Sequence, residues 1–244
     1  MTENNNVEFT LNDQAKDFLL YAYFGIVAKD MKNASGETVV QKDTKKAAIR
    51  KCVDRAYLDM CRTLSLKNGD SKNAESPFRK KFREEIADKL SKGNDVKKMR
   101  EAAYKLFFGE GVNLETYLNQ KEYADKKKRN DGLFYYGQFQ KWINMSLKYM
   151  WLIGLLDSPE GLEVPLDRYI LKAASEDLDI KLPRDNGTEV YTKYTESSTM
   201  PWSKLSMGEY NDIQRKINDN VADPIAWECD AWIIQAKLDN KKEQ

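Results

Sequence analysis

The sequence predicts an all-α protein, and three observations carry that reading. Apolar residues recur at spacings of three and four, as in Ile49, Val53, Ala56, Tyr57 and Met60. Only 6 Pro and 12 Gly interrupt 244 residues, while Lys, Glu, Ala and Leu are frequent. Residue pairs suited to a helix start, such as Ser76-Pro77 and Asp223-Pro224, punctuate the chain. A hydrophobic content of 41%, with 11% aromatic, is globular, and the length supports one large domain or two small lobes.

Taken in order, residues 1–9 are expected to be frayed. A helix is predicted over 12–31, with Phe18, Leu19, Tyr21, Ala22, Phe24, Gly25 and Ile26 as its packed side. Residues 32–43 read as a turn with a short strand or hairpin. Thr44 caps a helix running to about 64. After a polar loop, Ser76 and Pro77 open a helix that ends near Gly93, and Asp95 opens the next, which stops at Gly109. A further helix is predicted from Asn113 through Tyr117 and Tyr123 into the run Lys126, Lys127, Lys128, Arg129. A short hairpin over about 130–137 then leads into a long central helix. Pro165 and Asp167 introduce a helix over 164–175. Residues 180–203, with two prolines and many Thr and Ser, read as a long connection with 190–195 extended. Ser206 with Glu209 is a capping box, and Asp223-Pro224 opens the last helix. Eight to ten helices result.

The central helix nominates a site. Trp142, Ile143, Leu147 and Met150 form its apolar face, and 149–156 is apolar all round except for Gly154, which predicts burial on every side. That run is too short to span a bilayer. Gly137, Lys141, Asn144 and Lys148 fall at spacings of four, three and four, one polar stripe on an otherwise apolar helix.

Composition excludes several chemistries. No histidine is present, which removes Ser-His-Asp triads, Cys-His dyads and His-ligated zinc. Acid–base work falls to carboxylates, Lys, Tyr or Cys. Cys52, Cys61 and Cys229 form no CxxC motif and read as reduced core thiols of a cytoplasmic protein. No cofactor, metal or membrane partner is expected. The net charge of +1 is unevenly spread, with −5 over 176–244 and +6 over 1–175. A positive body with an acidic C-terminal part can bind an anion on one face.

Gly137 followed four residues later by Lys141, and Val164-Pro165-Leu166-Asp167 further on, resemble the helix-hairpin-helix DNA glycosylase superfamily. The order helix, hairpin, helix, loop and Pro-x-Asp is similar to 8-oxoguanine glycosylases, and Arg168-Tyr169-Ile170-Leu171-Lys172 resembles the alkyladenine branch. The likeness covers about forty residues. The family hairpin holds two glycines around an aliphatic residue, whereas this chain reads Tyr135-Tyr136-Gly137-Gln138-Phe139. Its Lys141-to-Asp167 spacing of 26 is a few residues longer. The resemblance implies a two-lobed helical bundle, with one lobe over about 44–160 and the other formed by 10–35 plus 164–240. It implies duplex DNA as partner and N-glycosidic bond cleavage as activity, without an iron–sulfur cluster. Asp167 would stabilise the developing oxocarbenium charge, and Lys141 would be the amine nucleophile. A flipped base would meet Asn144, Lys148 and Arg168 and stack on Tyr135, Tyr136, Trp142 or Trp202. Gly137, Gln138 and Lys126 to Arg129 would meet the DNA backbone. Arg168 would hold Asp167 ionised.

Each of these residues also has a purely structural reading. Asp167 suits a helix N-terminus whatever the function. Lys141 near a helix start reads as a surface lysine. The 126–129 run suits a helix C-terminus, and Trp142, Trp151, Trp227 and Trp232 read as core. Asn144, if buried, needs partners. The alternative function is that of a helical protein that binds a partner without catalysis.

Overall fold

The helices begin where the capping residues put them. In a computed structural model, which describes residues 10–64, 77–108, 135–185 and 191–242, Asn12 accepts from the Ala15 amide at 2.8 Å and starts α1 (Asp13–Phe24). Thr44 does the same for α2 (Lys45–Met60) through Ala47, and Asp95 for α4 (Val96–Phe108) through Lys98. Between them lies α3 (Pro77–Ser91). Then come α5 (Tyr136–Leu152), α6 (Arg168–Asp177) capped by Asp167, and α7 (Met207–Asn220) with the Ser206/Glu209 capping box. Last is α8 (Pro224–Lys242), where Asp223 accepts from Ala226. Among the described residues, strand is confined to two small antiparallel pairs, β1 (Met31–Lys32) with β2 (Thr38–Val40) and β3 (Leu182–Pro183) with β4 (Tyr191–Thr192). The second pair places extended backbone inside the predicted 180–203 connection. The class is all-α. The predicted helix over 113–129 and the hairpin residues 130–134 lie outside the described residues.

Among the described residues the core forms two buried clusters. One joins Ile26, α2, α3, α4 and α5 and reaches Leu156. The other joins Val164, Leu166 and residues of α6, α7 and α8. Tyr136, Trp151, Leu162 and Trp202 pack against both. α2 turns Ala48, Ile49, Cys52, Val53, Ala56, Tyr57 and Met60 inward, and α5 lies against it. Trp142 is fully buried there, 4.8 Å from the Tyr57 ring, with Nε1 donating to Val53 O at 3.0 Å. Burial of each such large side chain stabilises the fold by about 1.5–3 kcal/mol. Cys52 and Cys61 are buried thiols. Burial pushes the Cys52 thiol up to about 12, so it stays protonated and unreactive.

Three expectations are corrected. α1 stops at Phe24, because Gly25 takes φ 70° and its amide turns back to Leu20 and Tyr21. Of the predicted packed side, Phe18, Leu19, Tyr21 and Ala22 are outward, with Phe18 68% exposed and no residue of α1 buried, whereas Phe24 is half-buried and Ile26, beyond the helix, is buried. The helix is held instead by its last turn, where Tyr23 and Phe24 meet Tyr149 at 6.0 and 5.1 Å. Tyr149 also donates to Asp59 at 2.7 Å, and Arg55 lies over the Tyr23 ring. Ile26 belongs to the first cluster, with residues of α2 and α5. Finally, α5 ends at Leu152, which is exposed, with Gly154 at φ 76° just beyond. The polar stripe is buried along with the apolar face of this helix.

Candidate functional site

All four stripe residues of α5 are buried, and each is bonded to the second half of the chain. The Gly137 amide donates to Leu205 O at 2.9 Å, and an added Cβ there would stand 1.9 Å from Trp202 O. Lys141 Nζ meets Asp167 Oδ2 at 2.9 Å and reaches Pro165 O at 3.5 Å. Asn144 Nδ2 donates to the Tyr210 hydroxyl at 2.6 Å. Lys148 pairs with Glu228 of α8. The stripe is therefore the polar seam between the two clusters. A lysine can stand there only because each has a carboxylate in contact.

Opposite the stripe, residues 163–167 run without helix or strand and are held from both sides. Gln214 of α7 exchanges two bonds with Val164, donating to its carbonyl at 2.6 Å and accepting from its amide at 3.2 Å. Gln140 of α5 does the same with Leu166, at 2.9 and 3.1 Å. Each glutamine amide substitutes for the missing backbone partner. Glu163 at the head of the strap accepts from Tyr210 at 2.8 Å and is ion-paired with Arg100 of α4. Asp167 at its foot caps α6 through the Ile170 amide at 3.0 Å and accepts from Trp232 Nε1 at 3.2 Å. Five consecutive residues are thus fixed, and the Asp167 carboxylate is set against Lys141.

Burial acts to raise the Asp167 carboxyl. The Lys141 charge and hydrogen bond, the Ile170 amide and Trp232 together outweigh it and hold the group below the usual carboxylate range. Burial likewise acts to lower Lys148, but Glu228 wins and its ammonium is raised. Burial pushes the Tyr210 hydroxyl well above its ordinary value. The Lys141–Asp167 pair is the more open of the two on the carboxylate side: Asp167 is 14% exposed and Glu228 3%. Beside Asp167, Trp232 is 43% exposed, its indole perpendicular to Tyr169 at 5.6 Å.

The structure brings Asp167 and Lys141 into contact and places Asn144 one turn along. Lys141 is buried, against its reading as a surface lysine, because Asp167 neutralises it. Gly137 and Gln138 are buried and do not face outward to a phosphate. Gln138 is spent on Thr63 O and the Tyr135 amide. Trp142 is core. Tyr135, Tyr136 and Trp202 are half-buried at the junction, the Tyr136 ring 5.3 Å from Tyr210. Arg168 does not set the charge of Asp167. It is exposed, stacks over Tyr169 at 4.6 Å and pairs with Asp239 at 3.3 Å. Lys126 to Arg129 lie outside the described residues. Trp232, read as core, is instead turned to the carboxylate.

Sequence reasoning missed Arg100, Gln140, Glu163, Tyr210, Gln214, Glu228 and Trp232. A weak signal existed for two of them: Glu163 interrupts an apolar run, Leu162 to Leu166, and Gln140 sits between Phe139 and the stripe. The pairings span up to 80 residues and leave no local pattern. Among the described residues, no group of three or more Cys, Asp or Glu side chains is arranged to hold a metal ion, and no helix is long and apolar enough to cross a membrane. Compared with family models, curated proteins and solved structures, the chain finds no match.

Proposed function

We propose that the chain recognises a base in DNA and cleaves its N-glycosidic bond, with Asp167 and Lys141 as the reacting pair. One observation supports this above others: a lysine and an aspartate 26 residues apart are in contact at 2.9 Å, at the more open end of a seam rimmed by an exposed tryptophan. Lys141 passes a proton to Asp167, which is already in hydrogen-bond reach. Its amine forms a C–N bond to the anomeric carbon as the base departs with the glycosidic electron pair. The base takes the proton from Asp167. Opening of the sugar ring then leaves a protonated Schiff base on Lys141. Trp232 offers the departing base a plane to stack on.

A second reading, a helical protein that binds a partner without catalysis, is favoured by the exposed apolar residues Leu11, Phe18, Leu19 and Tyr21 around α1. Borohydride trapping on duplexes bearing abasic sites and damaged bases separates the two. An adduct formed by the parent and lost in Lys141→Ala is expected. Base release without an adduct, lost in Asp167→Asn, would leave a glycosylase without lyase chemistry. Neither release nor DNA binding at low salt would leave the second reading.

A further inference from the structure

Asn144 is bonded on one side only, and its orientation is set from outside inward. Glu163 is ion-paired with Arg100, so its other oxygen is an acceptor for the Tyr210 hydroxyl at 2.8 Å. Tyr210 is fully buried and keeps its single proton, which goes to Glu163. The hydroxyl oxygen is then left to accept, and Asn144 Nδ2 supplies the donor at 2.6 Å. A turned amide would set two acceptors face to face. Oδ1 is therefore directed away from Tyr210, and it meets no donor among the described residues although Asn144 is only 1% exposed. Buried side-chain acceptors seldom go without a donor. Neither flanking lysine supplies one: Lys141 Nζ meets Asp167 and Pro165 O, and Lys148 Nζ meets Glu228.

We infer that Asn144 Oδ1 is a ligand acceptor, oriented by the Arg100–Glu163–Tyr210 chain, and that it takes an N–H of the molecule entering the seam. The inference rests on the reading of the preceding subsection, which makes that molecule a nucleobase. The edge it turns inward carries an amino or imino hydrogen. A base presenting only lone pairs there opposes acceptor to acceptor and is rejected. Arg100, Glu163 and Tyr210 are positioning residues, and they act through the amide they hold.

The test is fluorescence anisotropy of the full chain with two labelled single-stranded oligodeoxynucleotides. They are identical except for one central base, which is 2,6-diaminopurine in one and unsubstituted purine in the other. The first presents amino hydrogens where the second has none. The expected result is binding about tenfold tighter to the diaminopurine strand, the scale of one hydrogen bond. Asn144→Leu, close in shape, should bind both strands alike. Tyr210→Phe, which frees the amide to turn, should show a reduced preference. Equal affinities in the parent protein, no binding by the parent, or a preference that survives Asn144→Leu would each overturn the inference. The parent comparison needs no variant, so a variant that fails to fold does not block the decision. Base release from the same strands is followed separately by chromatography. Preference without release removes cleavage and keeps the acceptor. Release without preference keeps cleavage and removes the acceptor.

Discussion

At Gly137 the constraint is one of volume. Its position faces the backbone of Trp202 and Ser203 and not a flexible side chain, so the neighbours cannot yield cheaply. Gly137→Ala should destabilise the protein by about 3 kcal/mol, the upper range for overpacking, as read by urea denaturation. Gly208 is the control: it lies in α7 with nothing within 4 Å of an added Cβ. Gly208→Ala should be stabilising by about 0.5–1 kcal/mol in the same measurement. Asp167 makes a different prediction, in pH. Its carboxyl is lower in the folded chain than in the unfolded one, so its contribution is full above the unfolded value of about 3.9. That contribution is lost as pH falls through the folded value. The stability gap between the parent and Asp167→Asn should be constant above about pH 5 and close below about pH 4, measured by denaturation across that range.

At the scale of elements, α5 and α8 are joined by Lys148 and Glu228. Breaking a buried pair strands a charge, whereas removing both leaves none. Lys148→Met or Glu228→Leu alone should cost about 3–5 kcal/mol, while the double substitution should be neutral or stabilising by about 1–4 kcal/mol. Denaturation of the three variants decides, and additivity of the single costs would refute the pairing. This scale also shows how far the sequence can be read. Thr44, Asp95, Ser206 with Glu209, and Asp223 cap helices through bonds that reach three residues, so local text was enough. Gln140 meets a residue 26 positions away and Gln214 one 50 away, and nothing at either place announces the other. The stripe was legible as a stripe, but whether it faced solvent or the interior was not. Periodicity gives the face of a helix, and only the partner chain segments give its direction. Trp232 misled for the same reason: an aromatic in an apolar helix reads as core, and its indole hydrogen finds Asp167 only in three dimensions.

Across the whole molecule, the two clusters meet along the stripe, while α1, which has no buried residue, is held at its C-terminal end. Tyr149 is one fastening point, bonded to Asp59 and Tyr23 and packed on Phe24, and Lys51, donating to Gly25 O at 2.6 Å, is another. Tyr149→Phe removes both hydroxyl contacts and keeps the ring. Limited proteolysis should then cut within 25–44 several-fold faster, with the melting temperature of the remainder little changed. A large fall in that temperature would mean that the segment is integral to the first cluster.

The strap at 163–167 has one more implication. Backbone outside helices and sheets ordinarily exchanges its amide hydrogens with solvent quickly, since opening it disturbs little else. Here the Val164 and Leu166 amides are locked by glutamines from α7 and α5. Releasing either hydrogen requires those helices to part. In deuterium these two sites should label as slowly as the middle of α5, so that a stretch without regular structure reports a rare opening of the protein.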